Sequence, residues 1–153
     1  MSRQLEGVQK GITMSQILAS LKDANIYDRD LVLLRPGNWL NDSCINYCLR
    51  QLEIQISGEA FLLLDPAVVS FLVIQCTDDD EYADLSSGLE LSMRKWIFVP
   101  INNSDSFTVT STHWSLLVVH IDSGKSFHFD SGGNHNRKAC ETTALKIFQL
   151  LRR

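Results

Sequence analysis

The stretch THWSLLVVHIDSGKSFHFDS, residues 112–131, decides the fold of this chain. Residues 114–121 form a nearly continuous apolar run, which predicts a central strand that is covered on both faces. Residues 122–125 carry the turn residues Asp122, Ser123 and Gly124, and residues 126–130 predict a second strand. Two strands joined by so short a turn predict an antiparallel hairpin.

The predicted hairpin places one histidine and one aspartate on the same face of the sheet. A two-residue turn at Ser123-Gly124 pairs Leu117 with Asp130, and because side chains alternate along a strand, His113 then shares the face of Asp130. In ideal register four residues, at about 3.3 Å each, still separate the two positions. A bulge or a bend at His113 therefore has to close the gap.

A carboxylate beside an imidazole has a known chemical use. It fixes the tautomer of the ring and stabilises its charged form, and such a histidine can activate a thiol or a hydroxyl. On this pattern alone, a structural role for a histidine beside Trp114 is the commoner outcome.

The rest of the chain predicts an α+β domain with a central, mostly antiparallel sheet flanked by helices. Cap-type residues at Asn41 and Asp65 precede two apolar patterns of helical spacing. The predicted helices span residues 43–53, 66–76 and 136–152, and a further strand spans 96–101. A polar loop is predicted at 102–111. Residues 1–15 predict a flexible N-terminal extension, and residues 16–153 the domain itself.

Composition limits the classes of function. The chain has 153 residues, 44% of them hydrophobic, and a net charge of −4, which is typical of a globular protein and unfavourable for a nucleic-acid surface. No apolar run approaches the roughly 20 residues that cross a bilayer, so we expect no membrane association. The start lacks the pattern of a signal peptide, so we expect a cytoplasmic or nuclear monomer. The acidic residues between 78 and 84 predict a solvated loop, or a contact for a basic partner.

The four cysteines predict no disulfide in such a location. Cys44 and Cys48 are four residues apart, which places them on one face of a helix and could supply half of a metal site. No second pair at ligand spacing accompanies them, so we expect small core residues rather than zinc, and neither a metal nor a cofactor.

Three linked segments together resemble the Ulp/sentrin-specific protease family. The segment THWSLLV at 112–118, followed by FHFDS at 127–131, resembles the family's His and Asp motifs. PGNWLND at 36–42 resembles its Trp-Leu-Asn-Asp segment, and KWIFVPIN at 95–102 resembles the strand before its catalytic histidine. Order and spacing are similar from about residue 16 onward, and the likeness is strongest to the small deneddylating branch. The resemblance implies a papain-like Ulp protease fold.

The resemblance implies a role for each matched position. His113 is then the general base and Asp130 its orienting carboxylate. Trp39 and Trp114 form a narrow aromatic tunnel for the Gly-Gly tail of a modifier, since bulkier tails are excluded sterically. The alternative for each tryptophan is ordinary packing. Asp42 either contacts the basic tail of the modifier or is simply a helix cap.

One motif of the family is missing from these 153 residues. The family's nucleophile lies well beyond the Asp motif, in a Gln-containing segment that ends in Asp-Cys-Gly, and this sequence contains no Cys-Gly pair. We therefore expect a domain that is incomplete at its C-terminus. Cys140 lies at the start of a predicted helix near Arg137 and Lys138, which favours a thiolate. Its place in the apolar stripe predicts burial, so we do not expect a nucleophile there.

The predicted function is therefore that of a cysteine protease specific for ubiquitin-like modifiers. It hydrolyses after a C-terminal Gly-Gly, either to mature precursors or to remove modifiers from lysines, and this chain alone is expected to be inactive. A Nedd-type modifier is the first expected partner and a SUMO-type modifier the second. Two alternatives remain open at this point: a non-catalytic module that binds a modifier, and a fragment that folds poorly.

Overall fold

The computed structural model describes residues 15–56, 58–103 and 113–152. Along the chain it contains β1 (Ile17–Leu21), β2 (Ala24–Tyr27), a 3-10 helix (Asp28–Leu34), α1 (Asp42–Gln55), β3 (Phe61–Leu63), α2 (Pro66–Ile74), α3 (Asp79–Gly88), a short 3-10 turn (Leu91–Met93), β4 (Trp96–Asn102), β5 (Trp114–His120), β6 (Lys125–Phe129) and α4 (Arg137–Leu150). The expected N-terminal extension and most of the expected loop at 102–111 lie outside the described residues.

The main sheet has four strands in the order β3-β4-β5-β6. β5 is antiparallel to both of its neighbours, β4 and β6, whereas β3 runs parallel to β4. The predicted mostly antiparallel sheet is therefore confirmed, with one parallel edge strand that the sequence analysis missed. β1 and β2 form a separate hairpin, which was also missed because Leu18, Leu21 and Ile26 show no clean periodicity.

The helices begin where the sequence supplies capping side chains. The Asn41 side chain accepts a hydrogen bond from the Cys44 N–H at the start of α1, and Asp65 accepts one from Ala67 at the start of α2. The N-cap of α1 is thus Asn41, and Asp42 is the first residue of the helix. The alternative in which Asp42 serves as the helix cap is therefore wrong by one position.

The acidic segment is the start of a helix rather than a loop. Asp78 and Glu81 form a reciprocal capping box, in which each side chain accepts from the backbone N–H of the other residue. Carboxylates in the first turn also interact favourably with the positive end of the helix dipole. The concentration of acidic residues that suggested a solvated loop therefore stabilises the start of α3.

The core lies between one face of the sheet and helices α2, α3 and α4. Alternate residues of β4 and β5 supply the sheet side, and α4 supplies Ile147 and Leu150, both fully buried. The side chains that the sheet contributes are Ile97, Val99, Ile101, Leu117 and Val119. None of the helices within the described ranges is long and apolar enough to cross a membrane.

The opposite face of the sheet is only partly covered. Val118 is 7% exposed there, but its partner Phe127 on β6 is 45% exposed and Phe129 is 59% exposed. β5 is therefore central in the sheet, as predicted, and the exposed Phe127 and Phe129 leave this face uncovered at β6.

We predict that Ile147→Ala lowers the free energy of unfolding by about 2–5 kcal/mol, because it opens a cavity between α4 and the sheet. Leu145 lies on the same helix but is 73% exposed, so Leu145→Ala should change stability by less than about 0.5 kcal/mol. Urea unfolding of the two variants measures the difference. Equal losses would contradict the placement of this helix face in the core.

Candidate active site

The pairing of β5 with β6 sets the geometry of the site. His120 pairs with Lys125, and Leu117 pairs with His128. Residues 121–124 therefore form a four-residue loop, and the predicted pairing of Leu117 with Asp130 is wrong. Continuing the observed register places Asp130 opposite Ser115, two residues from His113 instead of four. The longer loop thus halves the gap that seemed to require a bulge, and the two side chains span the rest.

His113 and Asp130 are hydrogen-bonded to each other. The distance between His113 Nε2 and Asp130 Oδ1 is 2.5 Å. The Asp130 side chain is 2% exposed and that of His113 is 14% exposed. The carboxylate is therefore shielded from water, while an edge of the imidazole still reaches the surface.

Backbone donors hold the Asp130 carboxylate in its charged form. The Asn136 N–H donates to Oδ2 at 3.0 Å, and the Gly132 N–H donates to Oδ1 at 2.9 Å. The pKa of the Asp130 carboxyl lies well below its usual range, first because of the Asn136 hydrogen bond and then because of the bond to His113. Asp130 is thus a fixed negative charge beside the imidazole at neutral pH.

The geometry also assigns the two ring nitrogens of His113. A carboxylate can only accept, so the nitrogen that faces it, Nε2, carries the proton in the neutral ring. Nδ1 is then the basic nitrogen. Protonation of Nδ1 gives an imidazolium that Asp130 stabilises, which is the arrangement of a general base with its orienting carboxylate.

Gly132 allows a close approach to the imidazole. A Cβ at this position would lie 2.9 Å from His113 Cε1 and 2.5 Å from Nδ1 of His135. The ring of His135, which is exposed, meets the ring of His113 edge-on with 5.4 Å between centroids. Two rings and a backbone segment therefore fill a space that leaves no room for a side chain at position 132.

The two tryptophans of the expected tunnel are brought to the same region. The Trp114 indole N–H donates to the carbonyl of Leu40 at 2.8 Å, so the segment after Trp39 lies against Trp114. Trp39 is 57% exposed, which places it at the surface rather than in the core. Their role as a tunnel stays a prediction.

Asp42 follows this segment at the start of α1 and is exposed as a residue. The pKa of its carboxyl is raised above the ordinary value, first by desolvation and then by the negative charge of Asp65. A cation near this carboxylate would favour its charged form and offset the negative charge of Asp65.

The cysteines supply no matching thiolate. Cys44, Cys76 and Cys140 are buried, and desolvation is the largest cause that raises the pKa of each thiol. Cys140 is 5% exposed, so the expected burial holds and the positive residues near the start of α4 do not offset it. Cys48 is exposed, so the expectation of two core cysteines on α1 is wrong for one of them. Within the described ranges no three His, Cys, Asp or Glu side chains cluster as metal ligands do.

Sequence reasoning missed three residues that shape the site. The sequence analysis gave no role to Gly132, and it included Asn136 only as the first residue of the predicted helix 136–152. It also gave no role to Ser115, whose hydroxyl is hydrogen-bonded to Asn136 and His128. The glycine pair at 132–133, separated by one residue from the candidate catalytic aspartate, was the available signal for the first of them.

Comparison with known proteins places this chain in a family. The family described as "Ulp1 protease family, C-terminal catalytic domain" matches residues 38–153. The chain therefore belongs to the Ulp1 protease family, which confirms the resemblance to the Ulp/sentrin-specific proteases.

Two curated proteins are similar to this chain over most of its length. The protein named sentrin-specific protease 8 in Rattus norvegicus is 30% identical over 138 residues, which are 88% of this chain and 63% of the relative. NEDD8-specific protease 1 of Schizosaccharomyces pombe is 27% identical over 150 residues and is covered to 36%. The chain thus spans less than two thirds of the length of these relatives.

A solved structure supports the fold. The C-terminal Ulp1 protease domain, solved in complex with Smt3, the yeast ortholog of SUMO, superposes with a TM-score of 0.62 at 20% identity and covers 91% of this chain. The 153 residues correspond to 61% of that domain chain. The predicted α+β Ulp protease fold is confirmed.

We predict that Gly132→Ala disrupts the contact between His113 and Asp130, because the added methyl group has to displace the imidazole of His113. The stability loss should be about 1–3 kcal/mol, as for other overpacked sites. Gly88, at the end of α3, has no neighbour that a Cβ would meet within 4 Å, so Gly88→Ala should be neutral or stabilising. Urea unfolding and the ring NMR signals of His113 measure both effects. Unchanged His113 signals in Gly132→Ala would contradict the crowding.

A second prediction concerns the pH dependence of stability. Because the pKa of Asp130 is lower in the folded than in the unfolded chain, its charged form stabilises the fold at neutral pH, and this contribution is lost as the pH falls from about 5 towards 2. Asp130→Asn should therefore flatten the acid side of the stability curve. Asp84→Asn, at an exposed position on α3, is the control. An acid slope in Asp130→Asn equal to that of the parent would show that Asp130 is not the titrating group.

Proposed function

We propose that this chain supplies the base, the orienting carboxylate and the tail-binding surface of a thiol peptidase that acts on ubiquitin-like modifiers. The observation that carries the proposal is the 2.5 Å contact between His113 Nε2 and Asp130 Oδ1, in a pair that is largely shielded from water. Membership of a peptidase family gives this pair its reaction class.

The His113–Asp130 pair can accept one proton and release it again at a single atom, Nδ1 of His113. His113 Nδ1 accepts the proton of a thiol, and Asp130 stabilises the imidazolium that results. The thiolate then adds to the carbonyl carbon of the terminal glycine, the amine leaves with the proton from Nδ1, and water hydrolyses the thioester. The thiol in this scheme is a group that the buried cysteines of this chain do not provide.

Recognition of the tail follows from the surface beside the pair. Trp39 is exposed, and the Trp114 indole at the start of β5 donates to the carbonyl of Leu40, the residue that follows Trp39. A diglycine has no side chains and passes between flat rings that exclude larger residues. The carboxyl of Asp42, whose pKa is raised, lies at the start of the adjacent helix and suits a basic residue of the same tail.

A Nedd-type modifier is the proposed partner. This assignment draws on relatives that are named as NEDD8-specific proteases, while a solved neighbour that holds a SUMO ortholog makes a SUMO-type modifier the second candidate. We propose that the protein acts in the cytoplasm or the nucleus, where its four cysteines stay reduced.

One observation favours a second candidate function, a binding module without catalysis. Three of the four thiols are buried and have raised pKa values, and none lies in a Cys-Gly pair. In this form the chain would hold the tail of the modifier without cutting it. Both candidates require the same tail-binding surface.

The proposal predicts that a Nedd-type modifier binds this chain through its Gly-Gly tail. Isothermal titration should give a dissociation constant at least about 10-fold weaker for a modifier that lacks the two glycines, and Trp39→Ala should weaken binding of the intact modifier by a similar factor. For the shortened modifier, Trp39→Ala should have no further effect, because the contact is already lost.

Leu145→Ala is the matched control, because Leu145 is an exposed apolar side chain on α4, away from this surface. Equal binding of intact and shortened modifiers would remove the tunnel from the proposal. Stronger binding of a SUMO-type modifier would reassign the partner. Release of a C-terminal reporter by the chain alone would contradict the expected lack of a nucleophile.

A further inference from the structure

Strand pairing alone does not hold the pair of His113 and Asp130 in place. The ladder between β5 and β6 ends at Leu116 and Phe129, so Asp130 lies just beyond it. The ladder between β4 and β5 ends at Asn102 and Trp114, so His113 also lies one residue past a strand end. Contacts outside the sheet therefore have to fix both residues.

Asn136 provides such contacts on the side of His113. Its side chain is fully buried, and its amide Nδ2 lies 3.1 Å from each of three acceptors. These acceptors are the carbonyl of Ile101 at the end of β4, the carbonyl of His113 and the hydroxyl of Ser115. Because carbonyl oxygens only accept hydrogen bonds, the orientation of the amide is fixed by its partners.

The same residue contacts the other member of the pair. The backbone N–H of Asn136 donates to Asp130 Oδ2 at 3.0 Å, and this bond is the largest cause of the lowered pKa of Asp130. Asn136 is therefore joined to the backbone of the base through its side chain and to the carboxylate through its main chain.

This use of Asn136 has a structural cost. Asn136 is the N-cap residue of α4, a position where asparagine usually caps the helix, yet its side chain makes no capping hydrogen bond. Its Oδ1 is buried without a hydrogen-bond partner among the described residues. An unsatisfied buried acceptor in a native structure needs an explanation, and the three contacts of the Asn136 amide nitrogen supply one.

We propose that Asn136 is the positioning residue of the His113–Asp130 pair, because it fixes the main chain of the base and the carboxylate that orients it. The inference rests on the proposed function only in treating the pair as the base of the reaction. Asn136 touches neither substrate nor thiol in this scheme and acts through His113 and Asp130.

The test reads the tautomer of His113 in the chain itself. Long-range ¹H–¹⁵N NMR, at a pH where the ring is neutral, should show a single Nε2–H tautomer in the parent, since Asp130 accepts from that nitrogen. Asn136→Ala keeps the backbone N–H but loses the three side-chain contacts. We expect it to show a measurable population of the Nδ1–H tautomer, which the parent lacks.

Asn46→Ala is the matched control. Asn46 is also a buried asparagine with one bonded nitrogen and an unsatisfied Oδ1, but it contacts Asp65 at α2 rather than the pair. It should destabilise the fold as Asn136→Ala does and leave the tautomer of His113 unchanged. An unchanged tautomer in Asn136→Ala, with the same stability loss as Asn46→Ala, would make Asn136 purely structural and overturn the proposal.

A second variant keeps the test decisive if Asn136→Ala does not fold. Asn136→Ser retains one side-chain donor and the backbone N–H, so its spectrum should lie between those of the parent and the tautomer mixture. A spectrum of Asn136→Ser identical to that of the parent would overturn the proposal. These measurements need neither modifier nor turnover. Absence of modifier binding would therefore contradict the proposed function without affecting the inference about Asn136.

Discussion

The register between β5 and β6 is the constraint on which the site depends. A four-residue loop at 121–124 moves every pair of the hairpin by two positions relative to a two-residue turn. That displacement brings the Asp130 carboxylate within hydrogen-bond distance of His113 without a bulge in the described ladder. Side-chain alternation is the same in both registers, since a shift of two residues keeps each side chain on its face.

Most helices and strands could be predicted because their signals are local. Asp65-Pro66 starts α2, and the apolar spacing after Asn41 gives α1. The prediction of a loop at 78–84 was wrong because acidic residues suit both a solvated loop and the first turn of a helix. Only the capping box decides between the two. β3 was missed because three residues that pair in parallel with a distant strand have no periodicity of their own.

The site could be predicted in part. The motif around His113 and Asp130 predicted the pair, and the exposed position of Trp39 agrees with a surface role. Gly132 and Asn136 could not be assigned in the same way, because their importance comes from contacts that exist only after folding. Gly132 lies beside two imidazole rings, but in the sequence it looks like part of an ordinary turn. Asn136 lies between three strand ends, but in the sequence it looks like an ordinary helix cap.

The site is assembled from contacts of very different separation along the chain. His113 and Asp130 are 17 residues apart, whereas the bond from Trp114 to Leu40 spans 74 residues. The difference in loop-closure entropy is only about 1 kcal/mol, but long-range contacts form late in folding. The hydrogen bonds described around the His113–Asp130 pair span at most 35 residues, whereas the surface proposed for the tail also requires the N-terminal segment to dock. Under the proposed function, partial opening of that segment would abolish selection of the tail and leave the His113–Asp130 pair intact.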